Sequence, residues 1–207
     1  MTFLVFGIYS LRGNDMTTNI KFAKVRPDAK IPSKRDEDMG FDIYACIDED
    51  YIVIEPHETK LIPTGIASSC SSEYGFLVFE RGSTGSKGIA RRCGVIDSGY
   101  RNEWFIGLTN TTKKPLCITK LSDEETRRRY TENMTDCNMF ASEIAKKLWR
   151  EAMEDDASRF VLYPYSKAIA QALVVPVPKT EVEEVSYEEL QNIKSERGLG
   201  ALGSSGK

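Results

Sequence analysis

The run Gly94-Val95-Ile96-Asp97-Ser98-Gly99-Tyr100-Arg101 sets a carboxylate, a phenol and a guanidinium around one turn fed by apolar residues. A carboxylate so placed can orient and deprotonate a water for attack on phosphorus, and a flat ring can stack on a sugar. Alone, Asp97 reads as a turn former bonded to its own backbone; Tyr100 and Arg101 beside it suggest a hairpin that presents acid, ring and cation together. A second candidate is Glu80-Arg81-Gly82-Ser83-Thr84-Gly85-Ser86-Lys87-Gly88. Its glycines let backbone N–H groups approach a phosphate, its hydroxyls donate, and Arg81 can fork onto oxygens. It is not a Walker loop, because the Gly-x4-Gly-Lys-Ser/Thr pattern does not occur. A third is the cationic, glycine-rich run Arg197-Gly-Leu-Gly-Ala-Leu-Gly-Ser-Ser-Gly-Lys207. Gly198-x-Gly200-x-x-Gly203 mimics the dinucleotide fingerprint without its strand-then-helix setting. Ordering such a tail costs about 1–2 kcal/mol per residue, so a highly charged ligand is the one that offsets it. The single histidine, His57, sits between Pro56 and Glu58 in a loop and reads as a surface residue, leaving the chemistry to carboxylate and metal.

The elements that must position these residues are short strands. Tyr51–Glu55, Lys60–Ile66, Gly75–Phe79 and Glu103–Leu108 are apolar or alternating runs rich in β-branched and aromatic residues. Asp38-Met39-Gly40-Phe41-Asp42-Ile43 opens another, with Asp42 by default a turn or salt-bridged carboxylate. Pro and Gly punctuate them closely and no helix-length pattern intervenes over residues 20–120, which predicts an all-β sandwich or barrel. Residues 121–163 differ. Ser122-Asp-Glu-Glu125 is a capping box, and Phe140, Ile144 and Leu148, flanked by Trp149 and Met153, share a helical face. The spacing predicts a helical insertion stopped by Pro164; its stripe packs on the β core or presents a surface to a protein partner. Ala168–Pro176 returns to β character, and residues 180–195 read as an acidic linker to the tail.

The 207 residues are enough for one domain with an insertion, an N-terminal extension over 1–19 and a C-terminal lid over 196–207. With 28 Lys and Arg against 31 Asp and Glu, the net charge of −3 argues against general nucleic-acid binding. Met1–Ser10 is apolar but lacks a basic flank and is too short to span a membrane. Five scattered cysteines without a Cys-x-x-Cys pair point to a reduced, cytoplasmic protein without disulfides or zinc.

Taken in order, these segments resemble the five motifs of the trimeric dUTPase family. Asp38–Ala45, Glu80–Ile89, Gly94–Glu103, Ala168–Val174 and Arg197–Lys207 correspond to the first through fifth. The insertion between the third and fourth resembles those of phage and Firmicute-type members. The resemblance implies a jelly-roll β-barrel forming a homotrimer whose sites draw on all three chains. It implies hydrolysis of dUTP to dUMP and pyrophosphate, with Mg²⁺ held mainly by the triphosphate and by Asp42 through water. Asp97 would orient the attacking water, and Tyr100 would lie under the deoxyribose. Gly94, Val95 and Ile96 would read the uracil edge. Arg81, Gly82, Ser83, Thr84 and Gln171 would meet phosphates, with Arg197, Leu202, Gly203 and Ser204 closing over them. Two positions depart from the family: Gly82 follows the arginine where a serine is common, and Leu202 stands where an aromatic often stacks on uracil. The related dCTP deaminases share the fold but need a glutamate where this chain has Gly107. A regulatory nucleotide-binding protein acting through the insertion is the reading from another class.

Overall fold

The computed structural model describes residues 18–92, 94–136, 160–195 and 198, with side chains of the 123–136 helix described to residue 133. Twelve strands and three helices run in the order β1 (Lys21–Lys24), β2 (Phe41–Ile43), β3 (Tyr51–Ile54), β4 (Thr59–Pro63), β5 (Ile66–Ser69), β6 (Tyr74–Phe79), α1 (Gly82–Gly85), β7 (Ile89–Arg92), β8 (Val95–Ile96), β9 (Phe105–Asn110), β10 (Leu116–Thr119), α2 (Asp123–Asp136), β11 (Val161–Pro164), β12 (Ala170–Pro176) and α3 (Tyr187–Asn192) among the described residues. The sheet orders are β1-β5, β11-β10-β3, β2-β12-β6-β8 and β4-β9-β7, a jelly-roll-like arrangement with the all-β character that the punctuated strands predict.

Strand alternation decides what is buried. On β6, Phe76 and Val78 point inward at 1% exposure while Leu77 and Phe79 point out. Trp104 is fully buried, with Phe76 edge-on at 5.0 Å and Phe22 at 5.8 Å. Ile43, Ile54, Ile62, Ile106, Leu108, Leu116 and Ile169 complete the core. Each such side chain contributes about 1.5–3 kcal/mol by leaving water. Gly65, at φ +67°, lies between β4 and β5, where it splits the single run Lys60–Ile66 into two strands in different sheets.

Four local expectations are corrected. First, the Asp97 turn is a crossover and not a hairpin: β8 pairs with β6, whereas β9 pairs with β4 and β7. Second, Pro164 ends no helix but closes β11, which runs parallel to β10. The helical part of the insertion therefore stops before Val161. Parallel partners need a long crossover, which the segment from α2 to Phe160 supplies. Third, Ser122 Oγ accepts the Glu125 N–H at 3.2 Å, but the Glu125 carboxylate turns to Arg128 and Arg129, each at 2.7 Å. Fourth, the acidic stretch holds α3, whose capping box joins Ser186 and Glu189. The stripe residues Phe140, Ile144, Leu148, Trp149 and Met153 lie outside the described residues. α2 packs through Tyr130 against Phe160 (rings 4.7 Å apart, edge-on) and Cys117, on the outer side of the β11-β10-β3 sheet. The chain divides between Val177 and Pro178 into two compact units, ahead of the boundary at residue 196.

Candidate functional site

One half of the site grows from strand pairing. β2 against β12 sets Asp42 opposite Gln171, and β12 against β6 sets Gln171 opposite Phe79. Arg81, just past the end of β6, folds back so that its Nε lies 3.0 Å from Asp42 Oδ1 and its Nη2 3.5 Å from Oδ2. Both side chains remain 32% exposed, so each can still meet a ligand. Gln171 Nε2 donates to the Glu80 carbonyl at 2.8 Å, which fixes the amide beside the pair. A Cβ at Gly40 would stand 2.9 Å from Gln171 Oε1 and 3.1 Å from its Cβ, so a side chain there would displace the Gln171 amide. A cleft of about 560 Å³ opens over these groups, with Ser33, Lys34, Arg35 and Asp38 on its wall. Hydrogen bonds from Arg35, first of its side chain and then of its backbone, hold the Asp38 carboxyl down at about 2.

The glycine-rich loop forms a single helical turn, α1, entered through Arg81 in extended conformation. Thr84 is buried, and its hydroxyl accepts the Arg81 N–H at 2.9 Å and donates to the Arg81 carbonyl at 3.0 Å. It therefore builds the turn, and the exposed hydroxyls are those of Ser83 and Ser86. Open space surrounds the position of a Cβ at Gly82.

The other half is the crossover after β8. Asp97 is exposed, and its carbonyl accepts the Tyr100 N–H at 3.1 Å, closing the turn. Tyr100 is 38% exposed and anchors its hydroxyl on the Glu103 carbonyl at 3.0 Å. Arg101 is not presented with them: its guanidinium donates to the Ser68, Ser98 and Tyr100 carbonyls and holds the crossover. Gly94 fits tightly, with a Cβ due 2.3 Å from Arg91 Nη1 and 2.8 Å from the Val78 carbonyl. Its own carbonyl accepts the Val78 N–H at 2.7 Å, which leaves Val95 and Ile96 as the strand that leads into Asp97.

These halves share a sheet but not a corner. Phe76 faces Ile96, so Asp97 follows at the level of Gly75, while Asp42 and Gln171 stand at the level of Phe79. At 3.3–3.4 Å per residue and 4.7–4.9 Å per strand, four residues along and three strands across separate the Asp97 and Asp42 backbones by ~20 Å. Arg197, Leu202, Gly203 and Ser204 lie outside the described residues. Sequence reasoning missed Gly40, which needed the β2–β12 register to be seen, and Glu80, whose carboxylate accepts the Arg91 N–H at 2.8 Å.

A dUTPase family model matches residues 28–122. Deoxyuridine 5'-triphosphate nucleotidohydrolase of Mycolicibacterium gilvum is 31% identical over 108 residues, covering 50% of this chain and 68% of that protein. The chain belongs to the dUTPase family. The enzyme of the same name from Leptospira interrogans is 36% identical over 91 residues; the match spans 42% of this chain and 62% of that relative's length. That of Nautilia profundicola is 29% identical over 198 residues, covering 91% of this chain and 99% of its own. Among solved structures, Staphylococcus bacteriophage 80alpha dUTPase with dUPNHPP shares the fold at a TM-score of 0.61 and 21% identity, over 92% of this chain and 100% of that one. A mutant dUTPase from phage phi11 of S. aureus, described with a structural Mg(II) ion, superposes at a TM-score of 0.53 and 19% identity, over 82% and 99%.

Proposed function

We propose that the protein hydrolyses dUTP to dUMP and pyrophosphate. The observation that carries this reading is the exposed pairing of Arg81 with Asp42 beside Gln171, on the same sheet that carries Asp97 at its far corner. Arg81, Ser83 and the α1 backbone bind the phosphates, with charge-assisted hydrogen bonds that strengthen as charge develops. Asp97 takes a hydrogen bond from the attacking water and directs its lone pair in line at the α-phosphorus. Tyr100 packs under the deoxyribose and excludes a 2′-hydroxyl. The Gly94–Ile96 backbone reads the uracil edge, and the tail with Arg197, Leu202, Gly203 and Ser204 covers the ligand.

Mg²⁺ would fit this site as an ion held mainly by the triphosphate oxygens. Among the described residues no group of three or more His, Cys, Asp or Glu forms a protein cage, while the half-exposed Asp42 can accept from a metal-bound water. When bound, the ion neutralises triphosphate charge and polarises the reacting phosphoryl group.

The ~20 Å between the two corners supports a shared site, because a water-orienting carboxylate works within hydrogen-bond reach of its water. We read the active form as a homotrimer in which the turn of one copy serves the Arg81 cradle of the next. Deaminase chemistry is disfavoured by more than a missing acid: a Cβ at Gly107 would stand 2.8 Å from the Arg92 carbonyl, so β7 leaves a glutamate no room. Among the described residues no helix is long and apolar enough to cross a membrane.

Hydrolysis of dUTP in ¹⁸O-labelled water tests the reading. Attack at the α-phosphorus places one labelled oxygen in dUMP and none in pyrophosphate; label in pyrophosphate would contradict it.

A further inference from the structure

Tyr100 is 38% exposed, so packing alone does not fix its ring. Its hydroxyl donates to the Glu103 carbonyl at 3.0 Å, and the phenol therefore goes where that peptide goes. The same peptide plane is held from its other edge, where the Trp104 N–H donates to the Ile66 carbonyl at 2.8 Å. The plane leans on the bend between β4 and β5, and the Glu103 side chain leans on that bend too. This side chain is 16% exposed; its Oε1 accepts the N–H of buried Gly65 at 2.7 Å and lies 3.0 Å from Arg26 Nε. The Gly65 carbonyl in turn accepts the Val25 and Arg26 N–H groups at 2.8 and 3.3 Å. Arg26, Glu103 and Gly65 thus close a circuit: guanidinium to carboxylate, carboxylate to glycine N–H, glycine carbonyl back to the arginine backbone. Arg26 Nη1 also meets Asp48 Oδ2 at 3.1 Å, which braces the guanidinium from outside. Exposed ion pairs contribute little. Here the carboxylate is largely buried and serves a buried N–H, a bond that is strong when made and costly to leave unmade.

We propose that Glu103 is a positioning residue that sets the Tyr100 ring against the sugar and so determines how strictly a 2′-hydroxyl is refused. The inference rests on the proposed place of Tyr100 under the deoxyribose and names what holds the phenol there. Refusing one hydroxyl by contact depends on a ring that cannot retreat. A phenol free to swing would give way to the larger sugar; a phenol tied to a braced peptide does not. Arg101 holds the middle of the crossover through the Ser68, Ser98 and Tyr100 carbonyls, which leaves the far end, and with it the phenol, to Glu103. Asp97 stands at the near end, directly after β8, so orienting water and refusing the ribose are separable tasks. Gly65 keeps the brace in place: at φ +67° a Cβ there would stand 2.6 Å from the Ala29 Cβ and 2.9 Å from Cys46 Sγ.

The test reads kcat/KM of the full chain for dUTP and for UTP. Glu103→Ala opens the circuit and should raise kcat/KM for UTP about tenfold, a gain that loss of fold cannot produce. Glu103→Gln keeps an oxygen for the Gly65 N–H and should restore most of the parental discrimination. Tyr100→Phe removes the anchoring hydroxyl while leaving the circuit whole, and should raise the UTP value by a similar factor. Adding Glu103→Ala to it should change that value by less than about twofold, because both substitutions act through one hydrogen bond. A folded Glu103→Ala protein that refuses UTP as strictly as the parent, or effects that multiply in the double variant, would overturn the proposal. Where Glu103→Ala does not fold, Tyr100→Phe decides, and an unchanged UTP value overturns it. Tyr100→Ala separates the proposal from the reading beneath. If it leaves the dUTP-to-UTP ratio unchanged, Tyr100 does not guard the sugar and both fall. If it admits UTP where Glu103→Ala does not, the place of Tyr100 stands and the role of Glu103 alone is refuted.

Discussion

At the scale of single residues the proposed chemistry rests on Asp97, and replacing it by Asn keeps its size while removing the charge proposed to draw a proton from water. The variant should lose about 10²–10⁴-fold in kcat. Binding of a non-hydrolysable dUTP analogue, followed by calorimetry, should stay within threefold of the parent. Asp38, on the cleft wall, gives a pH signature. Its carboxyl is held at about 2 by Arg35, below its usual value of about 3.9. A depressed carboxylate stabilises the fold above its unfolded pKa and ceases to as pH falls through its folded pKa. The Arg35–Asp38 link should therefore persist at pH 4 and be lost toward pH 2, with the carboxyl resonance titrating there in an NMR pH series. A midpoint near 4 would contradict the pairing. Asp97, Tyr100, Arg81 and Asp42 were legible as chemistry-bearing types because each stood in a short run of glycine, hydroxyl or turn residues. The role of Arg101 was not, since only folding shows the Ser68 carbonyl beside its guanidinium.

Elements convert those residues into a site, and α1 shows how little chain that takes. Thr84 holds the turn through two hydrogen bonds to the Arg81 backbone, so Thr84→Val leaves the Arg81 N–H unpaired. The loss should cost about 1–3 kcal/mol. Ser83→Ala should leave the urea midpoint unchanged and raise KM for dUTP; equal effects of both substitutions on stability would contradict this division. The strands were readable from composition because β-branched and aromatic runs between Gly and Pro are locally determined. Their partners were not. The Lys60–Ile66 run looks continuous until Gly65 takes a positive φ and hands Ile66 to a different sheet. The Asp97 turn looks like a hairpin until β9 pairs with β4. Pro164 reads as a helix stop because a proline punctuates either structure, and the parallel pairing with β10 decides which. The α3 helix carried a readable signal, the Ser186–Glu189 capping box, masked by the acidic composition around it.

At the scale of the whole molecule, topology sets what one chain can and cannot do. The four-stranded sheet sets the Arg81–Asp42 pair and the Asp97 turn ~20 Å apart at diagonal corners, a separation that supports the proposed sharing of the site between copies. Family membership follows from sequence similarity, and the strand register supports the proposed shared site. The measurement that tests the account most directly is pyrophosphate release, with Mg²⁺, from dUTP, dCTP, dTTP and UTP side by side. The account predicts that dUTP exceeds each of the others by at least a hundredfold in kcat/KM, dCTP and dTTP failing at the base-reading strand and UTP at Tyr100. Equal rates on dUTP and UTP, or pyrophosphate from none of the four, would contradict it.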